Sequence, residues 1–436
     1  MNILFLAHRI PFPPNKGDKI RSFNEISYLS RKHNLYLAFL IDDPKDIVYV
    51  DELKKYCEGL DYDIIRPRWQ KIKSIPYLFT EKPLSIPYFY SKRLQDAVDR
   101  RLEKSRIDAI IAFSSPMAEY VFKSKLNLLT PPFGKGGQGG ILQQGAGDYQ
   151  AKLIMDFVDV DSDKWRMYAG FSTFPYSVVY RREWKRLMDY ERKVGTAFDL
   201  SIFVSEKEAV LFKSFCPEAH TLSIPNGVDL EFFNTLNLPP LQGEGQGGDG
   251  LFSNEKNSER NGPNLLFMGA MDYFPNEDAV LYFYSEIWPY IKKELSHAKF
   301  YVVGGNPPKK VRDLSEKDRD IVITGFVPDV RPYLENADIF VAPFRIARGV
   351  QNKVLEAMAA GVPVVARPEA VQGLNGLNGC IIVEENNERF AMSILKIIKT
   401  PQKRHQMINS SKEFVIKNYN WGKNLEKWNK IVSHSL

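Results

Sequence analysis

Two stretches of this chain carry residue types and spacings that could do chemistry. The first is Gly349-Val-Gln-Asn-Lys-Val-Leu-Glu-Ala-Met-Ala-Ala-Gly-Val-Pro-Val-Val. Lys353 places a cation where a helical run begins, and Glu356 places a carboxylate one turn on. A helix N-terminus carries unpaired N–H groups and partial positive charge, which favours phosphate. The carboxylate can accept hydrogen bonds from sugar hydroxyls. The second stretch, Leu153-Ile-Met-Asp-Phe-Val-Asp-Val-Asp-Ser-Asp-Lys-Trp, holds four near-alternating acids, Asp156, Asp159, Asp161 and Asp163. If a strand continued through them, Asp159, Asp161 and Asp163 would share one face. A metal site is one reading of such a face, but a calcium loop needs a Gly turn and a closing Glu, and both are missing.

These residues need elements to position them. Lys353 to Ala359 are mostly good helix formers, and Val354, Leu355 and Met358 share an apolar face at spacings of three and four. Gly361 and Pro363 stop that helix, and Val362-Pro-Val-Val restarts as a buried strand of parallel type. Upstream, Ile339-Phe-Val-Ala-Pro reads as another buried strand. Gly349 therefore falls in a strand-to-helix loop at the carboxyl end of a parallel strand, where open α/β sheets bind ligands. Near the start, Ile3-Leu-Phe-Leu-Ala is a strand, Pro11, Pro13 and Pro14 force an irregular loop, and Gly17-Asp-Lys-Ile-Arg-Ser opens an amphipathic helix through Phe23, Ile26 and Leu29. Further strands are expected at 35–41, 108–113, 153–158, 200–205, 264–268, 299–303 and 322–327. Helices are expected over Tyr180 to Val194, braced by pairs such as Glu183 with Arg186, and over Trp421 to Val432. The alternation of strands and helices predicts an α/β chain.

The Gly349–Val365 segment resembles the nucleotide-sugar site of family 4 glycosyltransferases. The resemblance implies a GT-B fold: two Rossmann-like, doubly wound parallel-sheet domains with a cleft between them and a C-terminal helix crossing back. It implies domains at 1–233 and 263–418, a Gly-rich linker at 234–262, and a returning helix at 419–436. In that family Gly349, Val350 and Gln351 would lie along the donor diphosphate and Glu356 would hold the ribose. The family's first Glu, eight residues before Glu356, is Arg348 here. Its Gly-Arg and following Lys are replaced by Gly269-Ala270 and Asn276, so Arg345, Arg348 and Lys353 are the expected substitutes for the missing cations. Phe326 and Val327 would lie near the base, and Gly17, Lys19 and Arg21 would face the donor phosphate and acceptor. The best match for the residue beside the transferred sugar is Asp159, with Asp156 and Asp161 close behind. Ile224-Pro-Asn-Gly-Val-Asp resembles the family's hinge entry.

One subfamily matches the opening Arg-Ile-Pro-Phe-Pro-Pro-x-x-Gly-Asp-Lys-Ile-Arg together with the two stretches above. It comprises the sugar transferases associated with exosortase (PEP-CTERM) exopolysaccharide systems. The implied activity is retaining, metal-independent transfer from a nucleoside-diphosphate sugar to a glycan or polyprenyl-linked acceptor, with no cofactor. The rivals are a GT-B nucleotide-sugar epimerase and a non-catalytic nucleotide-sugar-binding scaffold.

At 436 residues the chain has room for two or three cores. A net charge of +6 is too mild for a nucleic-acid binder. Residues 66–106 are locally basic, with eleven Lys/Arg against four Asp/Glu, and aromatics from Trp69 to Tyr90 are interleaved. That mixture suits an anionic membrane surface as a partner, against the alternative of aromatics packed inward. Cys57, Cys216 and Cys380 are scattered without metal-ligand spacing, which points to a reducing compartment. The apolar run at the N-terminus is too short for a signal peptide, and no run reaches a membrane span. The expectation is a cytoplasmic protein open to peripheral attachment at the inner membrane face. Two similar Gly-rich runs, beginning at Pro131 and Pro239, read as surface insertions.

Overall fold

The computed structural model describes residues 1–126, 128–129, 151–234 and 262–433. The Gly-rich insertion at about 130–150 and nearly all of the expected linker at 234–262 lie outside the described residues. Met1–Ile224 and Leu425–Leu436 form one unit, and Pro225–Asn424 form the other. The segment after Ile224 belongs with the second unit for a local reason. The Val228 amide donates to the Tyr419 carbonyl at 2.8 Å, and a Cβ on Gly227 would fall 2.4 Å from the Trp421 nitrogen.

In the first unit seven strands pair: β1 (Asn2–Ala7), β2 (Asn34–Ile41), β3 (Gly59–Ile64), β4 (Ala109–Phe113), β5 (Lys152–Val158), β6 (Leu200–Phe203) and β7 (Thr221–Ser223). Their order is β3-β2-β1-β4-β5-β6-β7, and neighbours run parallel. The second unit pairs β8 (Asn264–Met268), β9 (Lys299–Val303), β10 (Ile321–Gly325), β11 (Ile339–Ala342), β12 (Val364–Ala366) and β13 (Ile381–Val383). Their order is β10-β9-β8-β11-β12-β13, again parallel. Ile3 to Ala7 in β1 are at most 2% exposed and all of β11 is 0% exposed, so these strands are covered on both faces. Each unit is thus a doubly wound, Rossmann-like sheet. The strand order reverses between β1 and β4 in one and between β8 and β11 in the other, which marks a ligand crevice at those carboxyl ends.

The helix expected after Gly349 spans Asn352–Ala359. It ends in a Schellman turn: Gly361 takes φ +76°, its amide reaches Met358 O at 3.1 Å, and the Val362 amide reaches Ala357 O at 2.9 Å. The helix expected from Tyr180 spans Tyr176–Ala197. Its Glu183 does not brace Arg186. The carboxylate is buried and accepts the amides of Leu84 (2.6 Å) and Ser85 (3.0 Å), while Arg186 pairs with Glu81 at 3.2 Å. The last helix, Trp421–Ser433, seats its distal part on the first unit: Trp428 is fully buried, and Asn429 donates to the Tyr28 hydroxyl at 2.7 Å.

The aspartate run also departs from the expected strand. β5 ends at Val158, and Asp161 opens the helix Asp161–Phe171. Asp161 and Asp163 sit in its first turn, where negative charge is favourable. Asp156 stays in the strand, fully buried, and Arg21 from the helix Gly17–Leu29 meets it there. Arg21 Nε donates to Asp156 Oδ2 at 2.9 Å and Nη1 to the Ile224 carbonyl at 2.7 Å. Glu25, one turn on, lies 3.2 Å from the guanidinium. Burial holds the Glu25 carboxyl well above the usual carboxylate range, and the Asp156 charge adds to that. Arg21 thus lies between two buried carboxylates and is bonded to Asp156. Asp156 and Arg21, expected at the reacting sugar and at the donor phosphate, pair with each other and lock helix Gly17–Leu29 onto β5. Removing one member of a buried pair strands the other charge. Asp156→Ala is expected to lose about 3–5 kcal/mol of unfolding free energy in urea titration; a loss near zero would show that the pair does not anchor the helix.

Candidate functional site

The carboxyl ends of β8, β9 and β11 build one site in the second unit. Gly269 follows β8 with φ +156°, and a Cβ there would stand 2.7 Å from Asn276 Nδ2 and 2.9 Å from Lys353 Nζ. Gly304 follows β9 with φ +154°, and its Cβ would strike the Gly269 carbonyl at 1.8 Å. Glycine at both positions lets the two loops lie backbone against backbone. The Gly269 amide donates to Val303 O and the Met271 amide to Gly305 O, each at 2.9 Å.

Into this floor reaches Lys353, from the second position of helix Asn352–Ala359. Its Nζ donates to Asn276 Oδ1 at 2.6 Å and lies 4.8 Å from the Phe344 ring centroid. Asn276 is itself fixed, its Nδ2 donating to Ala270 O at 2.7 Å. Burial pushes Lys353 down to about 8, with Glu356 pulling the other way. Burial likewise pushes Glu356 up to about 7, opposed by Lys353. Both side chains are half-buried. Each shift records a charge held away from water without full compensation.

The loop before this helix is pinned from beneath. Gly349 takes φ +58°, and Gly373 runs so close that a Cβ on it would lie 2.1 Å from the Gly349 carbonyl. The Gln372 side-chain amide donates to Ala347 O, and Gln351 Nε2 donates to Arg348 O at 2.8 Å. Arg348 and Val350 are half-buried along this loop. Arg345 departs from its expected role. Its guanidinium forks onto both oxygens of Asp278, Nε at 3.1 Å, and lies 4.6 Å from the Tyr282 ring centroid, so it is committed to the helix Phe274–Tyr282. Phe326, just after β10, is 76% exposed, and its neighbour Val327 packs against the core.

The first unit gathers a second group of polar residues at the ends of β1, β4 and β5. Gly17 is exposed at its helix start, and Lys19, expected at the donor phosphate, is buried and bonded to Asp46 at 2.6 Å. The three candidate carboxylates differ in setting. Asp156 is buried in the pair described above, and Asp161 pairs with Lys164 one turn on. Asp159 follows Val158, a β-branched residue held at φ +66°. Ser114, ending β4, is held at φ +75°, and its amide donates to Asp156 O at 2.8 Å. Such backbone conformations cost on the order of 1–3 kcal/mol each and gather at functional sites. Val158, the strained residue before Asp159, also donates its amide to Asp156 Oδ1 at 2.9 Å.

Sequence reasoning passed over two features. Asn276 registered only as an absent cation, whereas it orients Lys353. His8, at the end of β1, is buried with its ring stacked on Phe113 (5.9 Å) and its Nε2 3.3 Å from Asp18 Oδ2. Arg9 bridges Asp18 (2.9 Å) and Asp42 (2.7 Å). His8 and Arg9 holding Asp18 set its carboxyl far below the usual range, against its burial. A His-Arg pair directly after the first strand was the available signal.

The Lys353–Glu356 shifts make a pH prediction. From pH 4.5 to about 7 the folded protein keeps the Glu356 proton that the unfolded chain has released, so stability falls. From about 8 to 10.5 the folded protein gives up the Lys353 proton first, so stability rises. Unfolding free energy of the wild type minus that of Lys353→Met/Glu356→Gln should trace this shallow valley with its floor at pH 7–8. A flat difference across the range would contradict the assignment.

Comparison with known proteins places this site in context. Residues 262–400 match the family described as Glycosyl transferases group 1. An uncharacterized glycosyltransferase of Methanocaldococcus jannaschii is 24% identical over 186 residues, 40% of this chain, and the chain spans less than half, 46%, of that relative's length. Among solved structures, sucrose-phosphate synthase from Thermosynechococcus elongatus aligns with TM-score 0.68 at 15% identity, covering 99% of this chain and 98% of that one. Anabaena HepE in complex with UDP-glucose aligns with TM-score 0.62 at 12% identity, covering 99% of each chain. The two Rossmann-like units are those of a GT-B fold, and residues 262–400, in the second of them, are similar to the Glycosyl transferases group 1 family.

Proposed function

We propose that the protein is a retaining glycosyltransferase. It moves a sugar from a nucleoside-diphosphate donor to a glycan or polyprenyl-linked acceptor, in exopolysaccharide assembly of the kind its family 4-like motifs suggest. The observation that carries this reading is Lys353, held by Asn276 over the glycine floor of β8 and β9 at a helix N-terminus. A cation, helix amides and absent side chains in one place suit a diphosphate. In the reaction the bond between the anomeric carbon and the diphosphate oxygen breaks, and its electron pair leaves on the diphosphate. The acceptor hydroxyl oxygen bonds the same carbon, and its proton passes to the departing phosphate. Lys353 and the helix N-terminus would stabilise the growing negative charge without metal. Glu356 would accept the ribose hydroxyls, Arg348 would replace a cation the family pattern supplies elsewhere, and Asp159 would act at the transferred sugar. A structural neighbour bound to UDP-glucose makes UDP the first nucleotide to test.

Calorimetry between pH 7 and 8, between the Glu356 and Lys353 values, tests the nucleotide half of this proposal. Glu356→Gln should weaken UDP binding by about 1.5–3 kcal/mol per charge-assisted bond lost, and Arg348→Glu should weaken it as well. Unchanged or tighter binding in Arg348→Glu would remove that residue from the site. In a turnover assay Asp159→Asn should lower kcat far more than donor affinity. Near-normal turnover there would reject Asp159.

A further inference from the structure

The basic aromatic segment divides on folding. Tyr88, Phe89 and Tyr90 pack inward against the first unit's core. Within the helix Lys92–Lys104, Lys92 pairs with Asp96, and Arg101 pairs with Asp61 on β3. Residues 66–82 do the opposite. Trp69 is 64% exposed, Ile72 56%, Ile75 53% and Phe79 91%, along the helix Pro67–Ser74 and the turn after it. Trp69 and Ile72 stand one turn apart, so they share a side of the helix.

This exposed ridge is built rigidly. Arg182, on the helix Tyr176–Ala197, donates to the carbonyls of Tyr77 (2.5 Å), Leu78 (2.7 Å) and Lys82 (3.1 Å), and to that of Thr80. Val178 lies one turn before Arg182 on the same face and is 57% exposed, close to Tyr176 (63%) and Phe174 (82%). The helix that carries the exposed Tyr176 and Val178 side chains is thus the one that holds the 77–82 turn. The charge around them has one sign. Arg66, Arg68 and Lys71 are exposed, and the only acid between residues 66 and 82 is Glu81, which is already paired with Arg186. An apolar patch rimmed by cations is a poor solvent face and complements a surface that is apolar within and negative at its edge.

We propose that this face seats the protein on an anionic lipid bilayer. Trp69, Ile72, Ile75 and Phe79 lie at headgroup depth, joined by Phe174 and Tyr176, and Arg66, Arg68 and Lys71 meet the lipid phosphates. The attachment is peripheral; among the described residues no helix is long and apolar enough to cross a membrane. The inference rests on the surface alone and is independent of the catalytic proposal.

Co-sedimentation of the full chain with phosphatidylglycerol-containing vesicles, against phosphatidylcholine vesicles alone, tests it. Binding should favour the anionic vesicles and weaken as salt rises. Arg68→Gln/Lys71→Gln should lose about 25-fold in affinity, roughly fivefold per cation. Trp69→Ala/Phe79→Ala should lose at least tenfold while keeping the far-ultraviolet circular dichroism of the wild type. Equal binding to both vesicles would overturn the proposal, as would wild-type binding by both double variants. So would a self-associated state in solution that Trp69→Ala/Phe79→Ala dissolves without any vesicle binding.

Discussion

Nothing larger than hydrogen fits at Gly304, Gly269 takes a backbone conformation that side chains rarely adopt, and the organisation of the second unit's site depends on both. A Cβ at Gly304 would overlap the Gly269 carbonyl, and one at Gly269 would occupy the space where Lys353 and Asn276 meet. Because both side chains are absent, the loops after β8 and β9 close on each other and leave a backbone floor. Lys353 can then set its ammonium over the Phe344 and Phe267 rings at the sheet's carboxyl edge. The apolar surroundings that position the ammonium also desolvate it, so the site holds a cation whose charge is incompletely compensated. A ligand with concentrated negative charge would relieve that cost.

The first unit solves a related problem differently. Arg21, Glu25 and Asp156 are all fully buried, and burial together with the nearby Asp156 charge holds the Glu25 carboxyl well above the usual carboxylate range. The arrangement ties the helix after β1 to β5, and Arg21 also caps the Ile224 carbonyl at the end of the unit. It holds still the strand ends where Ser114 and Val158 carry strained backbone. Strain of this kind persists only where the surroundings over-determine it.

Much of the fold was legible because the central strands are buried on both faces and read as continuous apolar runs. The three strands that sequence reasoning missed are all at sheet edges. β3, Gly59-Leu-Asp-Tyr-Asp-Ile, carries two aspartates, and β7 and β13 are only three residues long. Edge strands lose the two-sided burial that produces the signal. The helix at Asn352 and its glycine stop were readable because capping chemistry is local. Residue roles were less so. Lys19 and Arg21 look like a basic patch beside Gly17, yet their partners Asp46 and Asp156 come from 27 and 135 positions away. Spacing along the chain carries no trace of such pairings. The aspartate run misled because near-alternation mimics a strand face, while the actual break at Val158 is a backbone conformation that a valine rarely adopts. Asn276 shows the converse error: a missing charge in a pattern was a positioning group in space.

The central claim is that a nucleoside diphosphate occupies the carboxyl edge of β8 and β11. Hydrogen–deuterium exchange of the full-length protein, with and without saturating UDP, tests it most directly. The account predicts slower exchange in peptides covering 264–276 and 343–359, with the difference abolished in Lys353→Met at the same UDP concentration. UDP binding that protects other segments and leaves these two unchanged would contradict it.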